Sequence, residues 1–207
     1  MRLFVLGATG RTGSALVAQG LARGHEITAF GRSAFGGKAK SLHVVVGNPM
    51  HANDLAEVLP GNDAVLSALG TRGLGATSVL ADGVRATIEA MHCTGVRRLV
   101  IVSSSLLDSN IGWFARFISR TFLRHHAQDQ RAMEKQVTES NLDWTVLRAP
   151  RFNNGAFTGR YVVGVDSEET ETSGVPMSRE DVACMMLDAA ERGNHVKRIV
   201  RISGGHV

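Results

Sequence analysis

Seven residues near the start of the chain, Gly7-Ala8-Thr9-Gly10-Arg11-Thr12-Gly13, follow the apolar run Leu3-Phe4-Val5-Leu6. Glycines at this spacing let a chain turn sharply out of a strand and bring its backbone close to another group. Gly7 suits the exit from the strand, Gly10 the approach of backbone to a pyrophosphate, and Gly13 the close packing of the helix that follows. The start of that helix offers unpaired N–H groups and the positive end of its dipole. The chemistry predicted is therefore dinucleotide binding, with phosphates against the helix start.

A second clue lies in Ile27-Thr28-Ala29-Phe30-Gly31-Arg32-Ser33. A site that prefers NAD places an Asp or Glu at the end of its second strand, on the ribose hydroxyls. Here Arg32 stands instead, and a guanidinium forks onto a 2′-phosphate that a carboxylate would repel. Lys38 adds charge from the Gly36-Gly37 loop. The expected cofactor is NADP(H).

Such residues need a frame. Short β-rich runs at Leu3–Leu6, Glu26–Phe30, His43–Val46, Ala64–Ser67, Leu99–Val102, Trp144–Leu147 and Ile199–Ile202 alternate with helical patterns. One of these helices carries Leu80, Val84, Ile88 and Met91 on a single apolar stripe. The alternation predicts an α/β fold, a Rossmann-like doubly wound parallel sheet covered on both faces, with ligand beyond the carboxyl ends of its strands. Residues 1–207 read as a single domain without repeat or linker, and 152–176 as a small irregular cap at the ligand side.

The chain has 207 residues, 43% of them apolar, and a formal charge of +4 with basic and acidic residues interspersed. A core of useful size is expected, and no nucleic-acid partner. Cys93 and Cys184 lack metal-ligand spacing and read as core thiols in a reducing compartment; no metal is expected. Met1-Arg2 leads directly into a strand, and no apolar run reaches the length of a membrane span. The expectation is a cytoplasmic protein with no membrane partner, a monomer or weak homodimer.

Several further motifs, His43-Val-Val-Val-Gly-Asn48, Ala68-Leu-Gly-Thr-Arg-Gly73, Ile101-Val-Ser-Ser-Ser105, Leu142-Asp-Trp-Thr-Val-Leu-Arg-Ala-Pro150, Phe157-Thr-Gly-Arg-Tyr161 and Ser178-Arg-Glu-Asp-Val-Ala183, stand in a telling order. With the glycine loop, they make the chain resemble the atypical short-chain dehydrogenase/reductases, and within them the biliverdin reductase B / flavin reductase family, across nearly its whole length. The resemblance implies an NADP-bound oxidoreductase with a shallow, open pocket. By position it implies that Gly7, Thr9, Gly10, Arg11, Thr12 and Gly13 hold the pyrophosphate, and Arg32 and Ser33 the 2′-phosphate. Asn48 stands where the family commonly has Asp, against the adenine. Leu69, Gly70, Thr71 and Arg72 would line the cofactor groove, with Ser103, Ser104 and Pro150 near the nicotinamide.

Ordinary short-chain dehydrogenases add a Tyr acid/base and a Lys four residues later. The one tyrosine, Tyr161, is followed at that spacing by Val165, and the place expected for the Lys is Gln130. Flavin reduction asks less: orientation, stacking and a positive group near the developing anion. The expected catalytic residues are thus Ser104, which orients, and Arg151, which stands where the related family often carries His and supplies charge. The expected activity is hydride transfer from NADPH to a small-molecule conjugated acceptor, FMN or another flavin as substrate, with a bilin or quinone as variants. The competing reading is an NmrA-like NADP(H)-binding redox sensor without turnover; nucleotide-sugar epimerisation is disfavoured by the missing Tyr. The stretch Ile111–His126 reads as an amphipathic helix with Arg116, Arg120 and Arg124 on one face and Phe114, Ile118 and Phe122 on the other, either solvated or a basic rim for an anionic acceptor. His125 and His126, being adjacent, do not share a helical face and are not expected to bind metal.

Overall fold

A computed structural model describes residues 1–71, 78–105, 124–165 and 175–205. The elements in chain order are β1 (Arg2–Leu6), α1 (Arg11–Ala22), β2 (Glu26–Gly31), β3 (Leu42–Val46), α2 (Ala52–Ala56), β4 (Ala64–Ser67), α3 (Val79–Thr94) and β5 (Arg98–Ser104). There follow α4 (Arg124–Glu139), β6 (Asp143–Ala149), β7 (Phe152–Asn153), β8 (Tyr161–Val165), β9 (Met177–Ser178), α5 (Arg179–Arg192) and β10 (Arg198–Gly204). Each of the seven β-rich runs is a strand, β4 with the bounds of its run and the others one to three residues longer.

Eight strands form one sheet in the order β3-β2-β1-β4-β5-β6-β10-β8. All pairings within it are parallel except that of β8 with β10. From β1 the chain first builds outward through β2 and β3, then returns to place β4 on the other side of β1. The direction of growth therefore reverses between β1 and β4, which opens a crevice beyond their carboxyl ends.

The central strands β1, β4, β5 and β6 are buried on both faces because helices cover both, whereas the edge strands β3 and β8 are largely exposed. Leu3 and Val5 of β1 face Leu16 and Val17 of α1 and Val182 and Met186 of α5. Phe4 and Leu6 face the layer built from α2, α3 and α4, where Leu55, Leu80, Val84, Met91, Met133 and Val137 are buried. Leu80, Val84 and Met91 of the expected stripe are core residues and Ile88 packs against them.

Two features differ from the sequence-based expectation. The segment after β6 is not wholly irregular: Phe152–Asn153 pairs with Met177–Ser178, and Tyr161–Val165 pairs antiparallel with β10 as the sheet's edge strand. β-branched Val162, Val163 and Val165 suit that edge, but their partner lies about forty residues on, so a local reading finds no pattern. Cys184 is buried as expected, whereas Cys93 is exposed. Cys93 follows Met91 by two residues, which turns it off the buried stripe of α3.

Candidate functional site

The loop from Gly7 to Gly13 is held by backbone bonds and by the exclusion of side chains. Gly7 N and Ala8 N both donate to Phe30 O, at 3.1 and 3.2 Å, and Gly10 N donates to Gly7 O at 2.9 Å. Gly7 adopts φ +81°, and a Cβ there would lie 2.9 Å from Ala68 O on the neighbouring strand exit. At Gly13 a Cβ would lie 2.1 Å from Gly7 O. The crossing of loop and helix is thus closer than any other residue allows. No side chain caps α1, whose N-cap is Gly10, and its first turn contains no acidic residue. Its free N–H groups and dipole remain available to an anion.

A groove of about 800 Å³ opens at this point, over the crevice between β1 and β4. Gly7, Thr9, Gly10, Arg11 and Thr12 form one side, and Leu69, Gly70 and Thr71, leaving β4, form another. Ser103 and Ser104 end β5 and Pro150 and Arg151 follow β6, closing the far end. Arg32 lines the groove at the end of β2 and pairs with no other described residue. Gly13 lies beneath the loop rather than on the groove wall. Ser33 is exposed beside Arg32, outside the lining. Arg72, the 111–123 part of the amphipathic stretch and the side chain of Arg124 lie outside the described residues.

Asn48 does not line the groove. Its Oδ1 accepts from Met50 N at 3.1 Å, its backbone N–H donates to Asp54 Oδ2 at 2.8 Å, and its amide meets His51 Nε2 at 3.1 Å. The amide is spent on the turn that leads into α2, and Pro49 is the residue of this turn that reaches the groove.

The wall opposite the glycine loop contains buried polar atoms in need of partners. Ser103 is 3% exposed and Gln130 7% exposed, and Ser103 Oγ and Gln130 Oε1 have no hydrogen-bond partner among the described residues. Both residues line the groove. Unpaired buried polar atoms are costly, and a bound molecule with complementary groups would relieve that cost. The helix that carries Gln130 is tightly seated. Asp129 accepts from Leu80 N and Ala81 N at 3.1 and 2.9 Å, capping α3 from outside. Glu134 receives Arg148 Nε and Nη2 at 3.1 and 2.6 Å, joining α4 to β6.

Tyr161 lies elsewhere, on β8 at the sheet edge, with its hydroxyl 4.0 Å from Cys184 Sγ. Burial, with the neighbouring Cys184, pushes the phenol up to about 12. The single tyrosine has no part in the groove.

Two polar residues of the described wall, Gln130 of α4 and Arg179 at the start of α5, carry no sign of it in the sequence, whereas His126 ends the stretch read there as either solvated or a rim. The sequence marks Gln130 only as the residue in the place of a Lys, and α4 reaches the groove only because it packs beside β5. Arg179 donates to Asn153 O at 2.9 Å and Asn154 Oδ1 at 2.5 Å and lies over the Phe152 ring at 5.7 Å. Burial and then the nearby Arg11 guanidinium draw Arg179 below the usual arginine range. Arg11 and Arg179 also share, with Glu180, a smaller recess of about 410 Å³ beside the glycine loop.

The residues present fit a nicotinamide dinucleotide: a cradle that a Cβ would fill, an uncapped helix start, cations at the phosphate end and unpaired polar atoms at the other. Comparison with known proteins agrees. Residues 7–206 match the model of the NAD(P)H-binding family. An uncharacterised chloroplastic protein of Arabidopsis thaliana is 30% identical over 218 residues, spanning 97% of this chain and 76% of its own length. A short-chain dehydrogenase/reductase of Veillonella parvula, in complex with NADP, has the same fold with a TM-score of 0.83 at 17% identity, over 98% of this chain and 94% of that one. A Streptococcus pneumoniae protein provisionally assigned as an NADH-flavin reductase has a TM-score of 0.77 at 24% identity, over 99% of each chain. The family match begins at the glycine loop and runs through β10, and the chain belongs to the NAD(P)H-binding family, as a single α/β domain of Rossmann-like architecture.

Proposed function

We propose that the protein is an NADPH-dependent reductase of the biliverdin reductase B / flavin reductase type, which passes hydride to a flavin or a similarly conjugated small molecule. The observation that carries this reading is the charge of the groove: its described lining contains Arg11, Arg32, Arg151 and Arg179 and no carboxylate. A wall of that kind suits a 2′-phosphate, a pyrophosphate and an acceptor on which negative charge develops.

In this reading Arg32, with Ser33 beside it, holds the 2′-phosphate, and the glycine loop with Arg11 and Thr12 holds the pyrophosphate. Bound NADPH supplies the hydride. Ser103 and Ser104 orient the ring at the end of β5, with Ser103 Oγ gaining the partner it lacks. Arg151, exposed at the groove mouth with its guanidinium in no ion pair among the described residues, places a permanent positive charge beside the acceptor. Flavin enters as substrate. The resemblance in sequence motifs and the shared fold of the pneumococcal protein support this choice of acceptor.

The test is NADPH absorbance followed with and without FMN, beside calorimetric titration of NADPH and NADH. Catalytic NADPH oxidation that depends on FMN is expected. Tight NADPH binding with no turnover on flavin or quinone would replace the reductase reading with that of a nucleotide sensor.

A further inference from the structure

His126 and Gln130 are four residues apart on α4, hence on one face of the helix, and both line the groove. His126 Nδ1 is 3.0 Å from Thr71 Oγ1 on the β4 exit. That bond occupies Nδ1 whether the ring is neutral or charged, because a hydroxyl both donates and accepts. Nε2 has no partner among the described residues and is the nitrogen left to gain or lose a proton. Every other described side chain on the wall is an arginine, an alcohol, an amide or apolar. Imidazole is thus the only group type in the described lining that exchanges protons near neutral pH.

The charged neighbours of His126 among the described residues are few. On α4, Asp129 is engaged by the start of α3, Glu134 by Arg148 of β6, and His125 precedes it in sequence. From α3, Asp82 pairs with Arg85, and Glu89 is exposed. β5 is uncharged from Leu99 to Ser104, and Asp143 of β6 lies at that strand's opposite end. Across the groove stand Arg11, Arg32, Arg151 and Arg179.

We propose that His126 is a catalytic residue, the proton donor that accompanies hydride transfer, and that the acceptor class it suits is a quinone. The inference rests on the reductase reading above. A quinone that receives hydride, with NADPH as the reductant oxidised, becomes a hydroquinone anion with its charge on a carbonyl-derived oxygen. The Nε2–H bond of the imidazolium breaks as the O–H bond forms. The ring is left neutral with its Nδ1–H donating to Thr71, and it recovers its proton from solvent. Gln130, through its unpaired Oε1, is the positioning neighbour that accepts a hydrogen bond from the hydroquinone O–H once it has formed, since the quinone itself carries no donor.

The experiment uses menadione. In single turnovers of the NADPH-saturated protein, His126→Gln should slow menadione reduction by about a hundredfold, the scale of a lost general acid. It should also abolish the fall in rate with rising pH that a required protonated donor predicts for the parent. NADPH affinity by calorimetry should stay within about twofold of the parent, because the lost interaction belongs to the reacting state. Thr71→Val, which frees Nδ1, should give a smaller loss with the pH dependence kept. A readout independent of turnover is the ¹⁵N spectrum of ring-labelled histidines in the NADP⁺-loaded protein, which cannot react. The Nε2 signal absent from His126→Gln should shift on adding menadione. If His126→Gln turns over at the parental rate with the parental pH profile, or if that signal stays fixed at saturating menadione, the proposal is overturned while the reductase reading stands. If the parent binds NADPH but reduces neither menadione nor FMN, both fall together. Should His126→Gln fail to fold, Thr71→Val and the parent's Nε2 signal decide.

Discussion

Replacing Gly13 by Ala should damage both folding and cofactor binding, through one contact. The added Cβ would stand 2.1 Å from Gly7 O and 2.8 Å from Ala8 Cα, against an ordinary contact distance of 3.4 Å or more. Relief requires α1 and the loop to separate by about 1.3 Å, the difference between 3.4 and 2.1 Å. The atoms met are backbone, so no rotamer change can absorb the clash. α1 is also pinned from below, with Leu16 and Val17 in the core. Overpacking of this sort costs about 1–3 kcal/mol of stability. The same displacement moves the α1 N–H groups away from the phosphate position, and loss of one charge-assisted bond of about 2.7 kcal/mol lowers NADPH affinity about a hundredfold. Chemical denaturation and calorimetric titration measure the two effects. Gly36→Ala is the control, because a Cβ there meets nothing within 4 Å. A Gly13→Ala protein with the NADPH affinity and stability of that control would refute the close-crossing explanation of the loop.

Arg32→Asp tests cofactor choice: the parent should bind NADPH at least about tenfold more tightly than NADH, from a pair worth about 1.5–3 kcal/mol, and the variant should lose that preference in calorimetry. Arg151→Met keeps the length of the stem but deletes the charge, and should slow single-turnover hydride transfer to FMN by about ten- to a hundredfold while leaving NADPH affinity nearly unchanged. Parental rates in stopped flow would remove Arg151 from the catalytic residues. Asp181, 2% exposed, accepts bonds from Ser178 Oγ, Thr158 N, Thr158 Oγ1 and Gly159 N at 2.7–2.9 Å. Burial raises its carboxyl, but these bonds outweigh that effect and hold it below the ordinary value of 3.8. Its contribution is therefore complete above about pH 4 and lost as pH falls through the depressed folded value. Asp181→Asn should cost about 2–3 kcal/mol in denaturation at pH 7, and the gap to the parent should narrow below pH 4; a gap independent of pH would contradict that assignment.

The glycine loop was legible because its constraints are local. Gly7, Gly10 and Gly13 must be glycine for reasons of backbone conformation and close approach, and the apolar run and helical pattern on either side supply the strand and helix. Arg32 follows from equally local grounds: a fixed step after β2 carries it onto the groove wall. The alternation of apolar runs determined a parallel sheet with two helical layers, since only strands buried on both faces read as continuous apolar segments. What the sequence could not state was which distant segments meet. Asn48 has the right type for a base contact, but Met50, His51 and Asp54 draw it into a turn. Tyr161–Val165 becomes an edge strand only because β10 offers it a partner. Gln130 carries no sign of its position in a polar stretch of helix, and His126 only that it ends the stretch read as either solvated or a rim. They reach the groove because Asp129 caps α3 and Glu134 grips Arg148, bonds that set the rotation of α4 and so decide which of its faces looks toward the ligand.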